Sequence, residues 1–239
     1  MTIERMLMGQ PTADGGHGRT GIIGAMLDDS PVACYDLAEV AGTIATDLVA
    51  GLVADHTGSP WLGEVSGVPG SDDGLAARYN TGKQTRVRSS AAINAIDTHI
   101  TVEVVHKAAG WSNNAPILAK WGSAFTSWRL NSYPTNRLSF SINIGAARSA
   151  EAPIPATGVY HHIIGRYDGV NVEIWIDGIK AGTISGSGNI VTTADPVQWP
   201  EYSGLTNNNG AHESYDAVAI YDYALTDQQI ANHYPATGL

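Results

Sequence analysis

The sequence predicts an all-β fold, a sandwich of two antiparallel sheets with one short helix near the end. Three observations carry that expectation. Apolar stretches of strand length recur about every ten residues from Val32 onward, between clusters of Gly, Asn, Asp, Ser and Pro, which is the spacing of a sandwich or barrel. Several stretches alternate: Leu138, Phe140, Ile142 and Ile144 share one face, as do Val172, Ile174 and Ile176, so each strand has a core side. Only TDQQIANHY carries clear helix-start chemistry, with Thr226 as N-cap and Gln229 placed to reach back as a capping box.

Taken in order, residues 1–30 are set apart by glycines at 9, 15, 16, 18, 21 and 24 and by the lack of a sustained period. They are expected to form an arm that includes Met1, Ile22 and Ile23, packed on neighbouring subunits or on its own domain. Residues 31–239 form the second unit. Its strands are expected in ACYDLAEV, GLAARYNTG, THITVEVVH, APILAKWG, NRLSFSINI, YHHIIGRYDG, VNVEIWIDG and DAVAIYDYA. A chain of 239 residues is within the range of one large β domain.

Composition excludes several roles. Hydrophobic residues make up 43% and charged residues 15%, enough apolar material for a sizeable core. The formal charge is −10 and no window gathers Lys and Arg, which argues against nucleic acid as a partner. No apolar run approaches the ~20 residues of a membrane-spanning helix, so no membrane insertion is expected. The N-terminus lacks the apolar stretch of a signal peptide. The single cysteine, Cys34, cannot staple the fold and reads as a small core residue.

The acidic residues around HHIIGRYDGVNVEIWIDG suggest hydrolysis at first sight. Glu173 and Asp177 share a face but stand about 13 Å apart at the usual strand rise, wider than the ~5–9.5 Å that paired catalytic carboxylates require. Asp168-Gly169 and Asp177-Gly178 read instead as turns. Trp175, on the register of Glu173, covers the outer face or meets a neighbour. His161 and His162 point to opposite sides of their strand, which rules out a simple chelating pair. The stretch PVQWPEYSGLTNNNGAHES supplies Trp199, Tyr202, Asn207 and Asn208. Such residues hold sugars in rim loops, unless Trp199 simply seals one end of the sandwich.

YHHIIGRYDGVNVEIWIDGIKAG resembles the signature of laminin G-like, concanavalin A-like jelly-roll domains. SYDAVAIYDYALTDQQIANHY is similar to that family's closing strand and terminal helix, and ACYDLAEVAGTIATDLVAG to its opening strand and loop. The resemblance covers about residues 31–235 and implies a concanavalin A-like jelly-roll β-sandwich. It also implies calcium, with Asp216 as ligand and Asp47 as a second; the alternative is that each aspartate bonds a turn. Tyr160 stands where the family has Trp, and Ala217 where it has an acidic residue, which thins any polar site around Asp216. The expected function is a non-enzymatic bacteriophage virion protein, a minor tail or capsid-decoration subunit. Its expected partners are other virion proteins, further copies of the chain and host cell-surface glycan. The alternatives are a free carbohydrate-binding or adhesion module and, last, a glycoside hydrolase.

Overall fold

The computed structural model describes residues 18–111, 114–120, 126–133, 136–200 and 213–239. The chain begins with helix α1 (Gly21–Asp28), followed by β1 (Ala33–Tyr35), β2 (Ile44–Thr46), β3 (Val53–Thr57), β4 (Trp61–Val65), β5 (Leu75–Tyr79) and β6 (Gln84–Val87). A single helical turn, α2 (Ala91–Asn94), leads to β7 (Ile100–Ala108), β8 (Pro116–Lys120), β9 (Trp128–Tyr133), β10 (Arg137–Asn143) and β11 (Ala147–Pro153). Then come β12 (His161–Tyr167), β13 (Asn171–Ile176), β14 (Ile179–Ser185), β15 (Val197–Trp199), β16 (Glu213–Tyr221) and helix α3 (Asp227–Thr237).

These strands form two eight-stranded antiparallel sheets. One runs β14-β13-β12-β7-β16-β5-β4, with β1 also paired to β16; the other runs β11-β10-β9-β8-β15-β6-β3-β2. The expected jelly-roll sandwich is therefore present. The alternation read from sequence holds: Leu138, Phe140, Ile142, Val172 and Ile174 are fully buried between the sheets. The sheets meet closely at Gly165, where a Cβ would lie 2.2 Å from Phe140 Cδ2. The DG turns behave as expected too: Asp168 accepts from the amides of Val170 and Asn171, while Asp177 and Gly178 take positive φ.

A second apolar cluster lies on the outer face of the first sheet, beneath α1 and α3. Here the helix of the expected arm packs on its own domain, the second of the two expected arrangements: Ile22 is fully buried and Ile23 nearly so, packed with Val105, Ile164, Trp175, Ala219 and Ile230. The reason is that GIIGAML is apolar on every side. Each such side chain left in water forfeits ~1.5–3 kcal/mol, and its own sheet offers the cover. The boundary at residue 30 thus does not separate two units; Met1 lies outside the described residues. Trp175 is likewise buried within its own chain, and its Nε1 donates to Glu173 Oε2 at 3.1 Å.

Ionic contacts fasten α3 to this face. Arg166 bridges Glu173 (Nε to Oε2, 2.7 Å) and Asp227 (2.7 Å), and Lys180 joins Glu173 at 2.9 Å. Deeper, the fully buried Glu103 carboxylate meets His162 Nε2 at 2.5 Å, His233 Nδ1 at 2.9 Å and the Tyr221 hydroxyl at 2.9 Å. The opposite ring nitrogen of His233 reaches Asp29 at the end of α1, 2.9 Å away. Burial alone would lower the His233 pKa, but Glu103 and Asp29 raise it to about 9. Burial would raise Glu103, yet His233 and His162 hold it well below the carboxylate range. The capping box foreseen at Thr226 and Gln229 is present.

Candidate functional site

Cross-strand register builds a row of side chains over the first sheet. Trp61 on β4 pairs with Arg78 on β5, Arg78 with Ser214 on β16, and Ser214 with Lys107 on β7. Tyr160 immediately precedes β12, whose first residue, His161, pairs with His106; Tyr160 therefore falls beside Lys107. The neighbours Tyr79 and Tyr215 lie in the core, so alternation turns Arg78 and Ser214 to the outer face. The row borders an open cavity of about 290 Å³ lined by Glu64, Arg78, Lys107, Tyr160 and Ser214, among others.

Aromatic and cationic groups meet closely here. Lys107 Nζ lies 4.5 Å from the Tyr160 ring centroid, and the Arg78 guanidinium 4.5 Å from that of Trp61. Lys83 Nζ reaches the same Trp61 ring at 4.4 Å and donates to Gly58 O at 3.0 Å. Arg78 donates to Glu64 Oε1 at 3.3 Å, but its Nε is buried without a hydrogen-bond partner. Among the described residues, Lys107 forms no ion pair. The cavity thus offers the Ser214 hydroxyl between two cations, Arg78 and Lys107, with the buried Tyr160 at one side and Trp61 outside the lining, beside Arg78.

Below the row, β16 bulges between Tyr215 and Ala217, which takes Asp216 out of the ladder. The Ser66 hydroxyl donates to its Oδ1, while its Oδ2 is buried and unpartnered. Burial raises this carboxyl to about 6. Its spare oxygen fits a metal ligand. Asp47 does not, and the expectation for it is corrected: Oδ1 accepts from the amides of Cys34 and Val49, and Oδ2 from those of Ala50 and Leu52. Both oxygens staple the loop between β2 and β3. Among the described residues, no group of three His, Cys, Asp or Glu side chains is arranged to hold a metal.

Trp199 is a further correction. It is fully buried on β15, its ring tilted against Tyr35 at 5.5 Å, because β15 joins β8 to β6 and turns Val197 and Trp199 into the core. No sugar can stack on it. Tyr202, Asn207 and Asn208 lie outside the described residues. Sequence reasoning had noted Tyr160 only as an aromatic substitution, and it missed Trp61, Arg78, Lys107 and Ser214. One signal was available: Lys107 is the lone cation in the strand ITVEVVHKA.

A family model for the concanavalin A-like lectin/glucanases superfamily matches residues 80–231, more than half of the chain. No curated protein matches the sequence. Among solved structures, the binding domain of Paraclostridial Mosquitocidal Protein 1 superposes with a TM-score of 0.67 at 12% identity, over 86% of this chain and 52% of that one. The botulinum neurotoxin serotype C1 binding domain gives 0.68 at 10%, over 87% and 52%. The binding domain of Botulinum Neurotoxin DC in complex with SialylT gives 0.68 at 12%, over 87% and 52%. At these identities the likeness is one of fold, and this chain spans about half the length of those domains.

Proposed function

We propose, from the premise that this chain belongs to the concanavalin A-like lectin/glucanase superfamily, that it is a carbohydrate-binding domain whose ligand seats along the row from Tyr160 to Trp61. The observation that carries this reading is the register itself, which sets ring, cation, hydroxyl, cation and ring side by side, the last four of them, from Arg78 to Tyr160, lining a cavity. Sugars present apolar C–H faces that stack on aromatic rings and hydroxyls that bond to polar groups at the rim. A fold neighbour in complex with SialylT supports the choice of ligand class.

The domain binds without cleaving. The support is that Glu64, the only acidic side chain lining this cavity among the described residues, is bonded to Arg78. Release of reducing sugar from a polysaccharide panel would defeat this part of the proposal. Calcium belongs to the same proposal at Asp216 alone, supported by its spare oxygen; a melting temperature unchanged by chelator would remove it. Display on a bacteriophage particle, in the company of other virion subunits and further copies of the chain, is the finer proposal. Its support is the glycine-rich stretch ahead of the sandwich, and its test is whether antibody against the domain labels intact particles.

The direct test is a glycan array followed by titration of the retained sugars. Trp61→Ala is expected to weaken binding about tenfold, the range of a stacking contact, with an unchanged melting temperature. Sugars held equally well by Trp61→Ala and Ser214→Val would place the binding surface elsewhere.

A further inference from the structure

The row's charge names the class of sugar, an inference that rests on the proposed carbohydrate site. We infer that the ligand is an anionic saccharide, one whose ring carries a carboxylate or sulfate. The chain as a whole is strongly acidic, with 23 Asp and Glu against 13 Lys and Arg. Yet Arg78 and Lys107 line the cavity, Lys83 lies beyond them over Trp61, and among the described residues Glu64 is the one acidic side chain in the lining. A surface that is acidic elsewhere repels an acidic ligand at long range. Two cations against one acid therefore reverse the local sign where the cavity opens.

Two details indicate that Arg78 and Lys107 keep donors free. Glu64 takes one Arg78 nitrogen at 3.3 Å and leaves the buried Nε without a partner. Among the described residues Lys107 has only the Tyr160 ring beneath it, at 4.5 Å, a contact that holds the side chain while leaving ammonium protons to donate. A guanidinium carries five N–H donors, so Arg78, which lines the cavity, keeps others for a ligand oxygen there. A neutral sugar could stack on Trp61 but would leave Lys107 without a counter-charge among the described residues. The anion fits between Lys107 and Arg78, directly over Ser214, which pairs with both in the sheet.

The experiment compares lactose, 3′-sialyllactose, 3′-sulfated lactose, maltotetraose and a galacturonate oligomer, immobilised at equal density, on the wild type and on Lys107→Gln. At least one acidic member is expected to be held tenfold or more tightly than the neutral sugars. Lys107→Gln is expected to cost that sugar about tenfold to hundredfold, the range of a charge-assisted hydrogen bond, without moving the melting temperature. Binding should also weaken from 50 to 500 mM salt, as screening of a rim contact requires. Carboxylate and sulfate arms separate the two sources of charge. Neutral sugars bound as tightly as acidic ones, with Lys107→Gln silent, would overturn the inference and leave the carbohydrate site standing. A blank across all five sugars and a broad glycan array would overturn both.

Discussion

Substituting Glu103 by Gln should flatten the dependence of stability on pH between about 6.5 and 9. In the native chain His233 is buried between Glu103 and Asp29, and its pKa rises from 6.5 to about 9. A shift of that size corresponds to about 3 kcal/mol at ~1.4 kcal/mol per unit. Because the folded pKa is raised, the stabilisation is fully present below the unfolded value of 6.5 and is lost as pH rises through about 9. Glu103 is shifted the other way, so its share is present above its ordinary 4.5 and lost only as pH falls through its lower folded value. The two shifts describe one interaction, which counts once. Urea unfolding at pH 6, 7, 8 and 9 should therefore show the wild type losing about 3 kcal/mol over this range, and Glu103→Gln less than half of that, with Asp29 holding the remainder. At pH 6 the variant should be less stable outright by about 3–5 kcal/mol, the cost of stranding buried partners. Parallel stability curves for the two proteins from pH 6.5 to 9 would refute the assignment of a protonated His233 under Glu103.

Trp199→Ala should lower stability by about 3–5 kcal/mol, the cost of an aromatic removed from a packed core, while the folded fraction keeps its glycan affinity; an unmoved melting temperature would contradict its burial. Gly70→Ala should loosen both covering helices at once. A Cβ there would lie 1.9 Å from Ala236 O, and Gly70 exchanges backbone bonds with Ile22 and Thr237. Faster amide exchange in α1 and α3, with β7 and β16 still protected, is the expected signature.

The strands were legible because one face of each is buried and the other is polar or covered, and alternation records that directly. NRLSFSINI is the clear instance. The capping box of α3 was legible because its partners are three residues apart in sequence. Helix α1 was not. Its N-cap Thr20 makes no side-chain capping bond, its hydroxyl donating to Asp72 instead, glycines surround it, and GIIGAMLD has no polar face to set a period. Its helicity rests on the sheet it covers. The candidate site was hidden for another reason: residues 61, 78, 107, 160 and 214 meet only through the pairing of β4, β5, β16, β7 and β12, and no local spacing encodes that. Trp199 misled because prolines on both sides of VQW suggest a loop, whereas the three residues form a strand between β8 and β6.

The outer face of the first sheet also explains why binding should occur at one end of it. Along β7 the outward side chains run from Glu103 through Val105 to Lys107, and along β16 from Tyr221 through Ala219 and Ala217 to Ser214. The first members of each series lie beneath α1 and α3, where Ala217 and Ala219 are small enough for close packing and Glu103 is neutralised from above. The last members emerge beyond the helices and turn cationic or hydroxylic. Asp216 and its bulge mark the change, and Tyr160 spans it, with its ring in the apolar cluster and Lys107 over its face. One sheet face thus serves as a docking floor for its own helices over part of its area and, in the proposed function, as a ligand platform over the rest. The boundary is set by where the helices end. Lys107→Leu would carry the apolar stripe past the helices into open solvent, where it would cover nothing, and would remove the charge on which the proposed recognition of an acidic sugar rests.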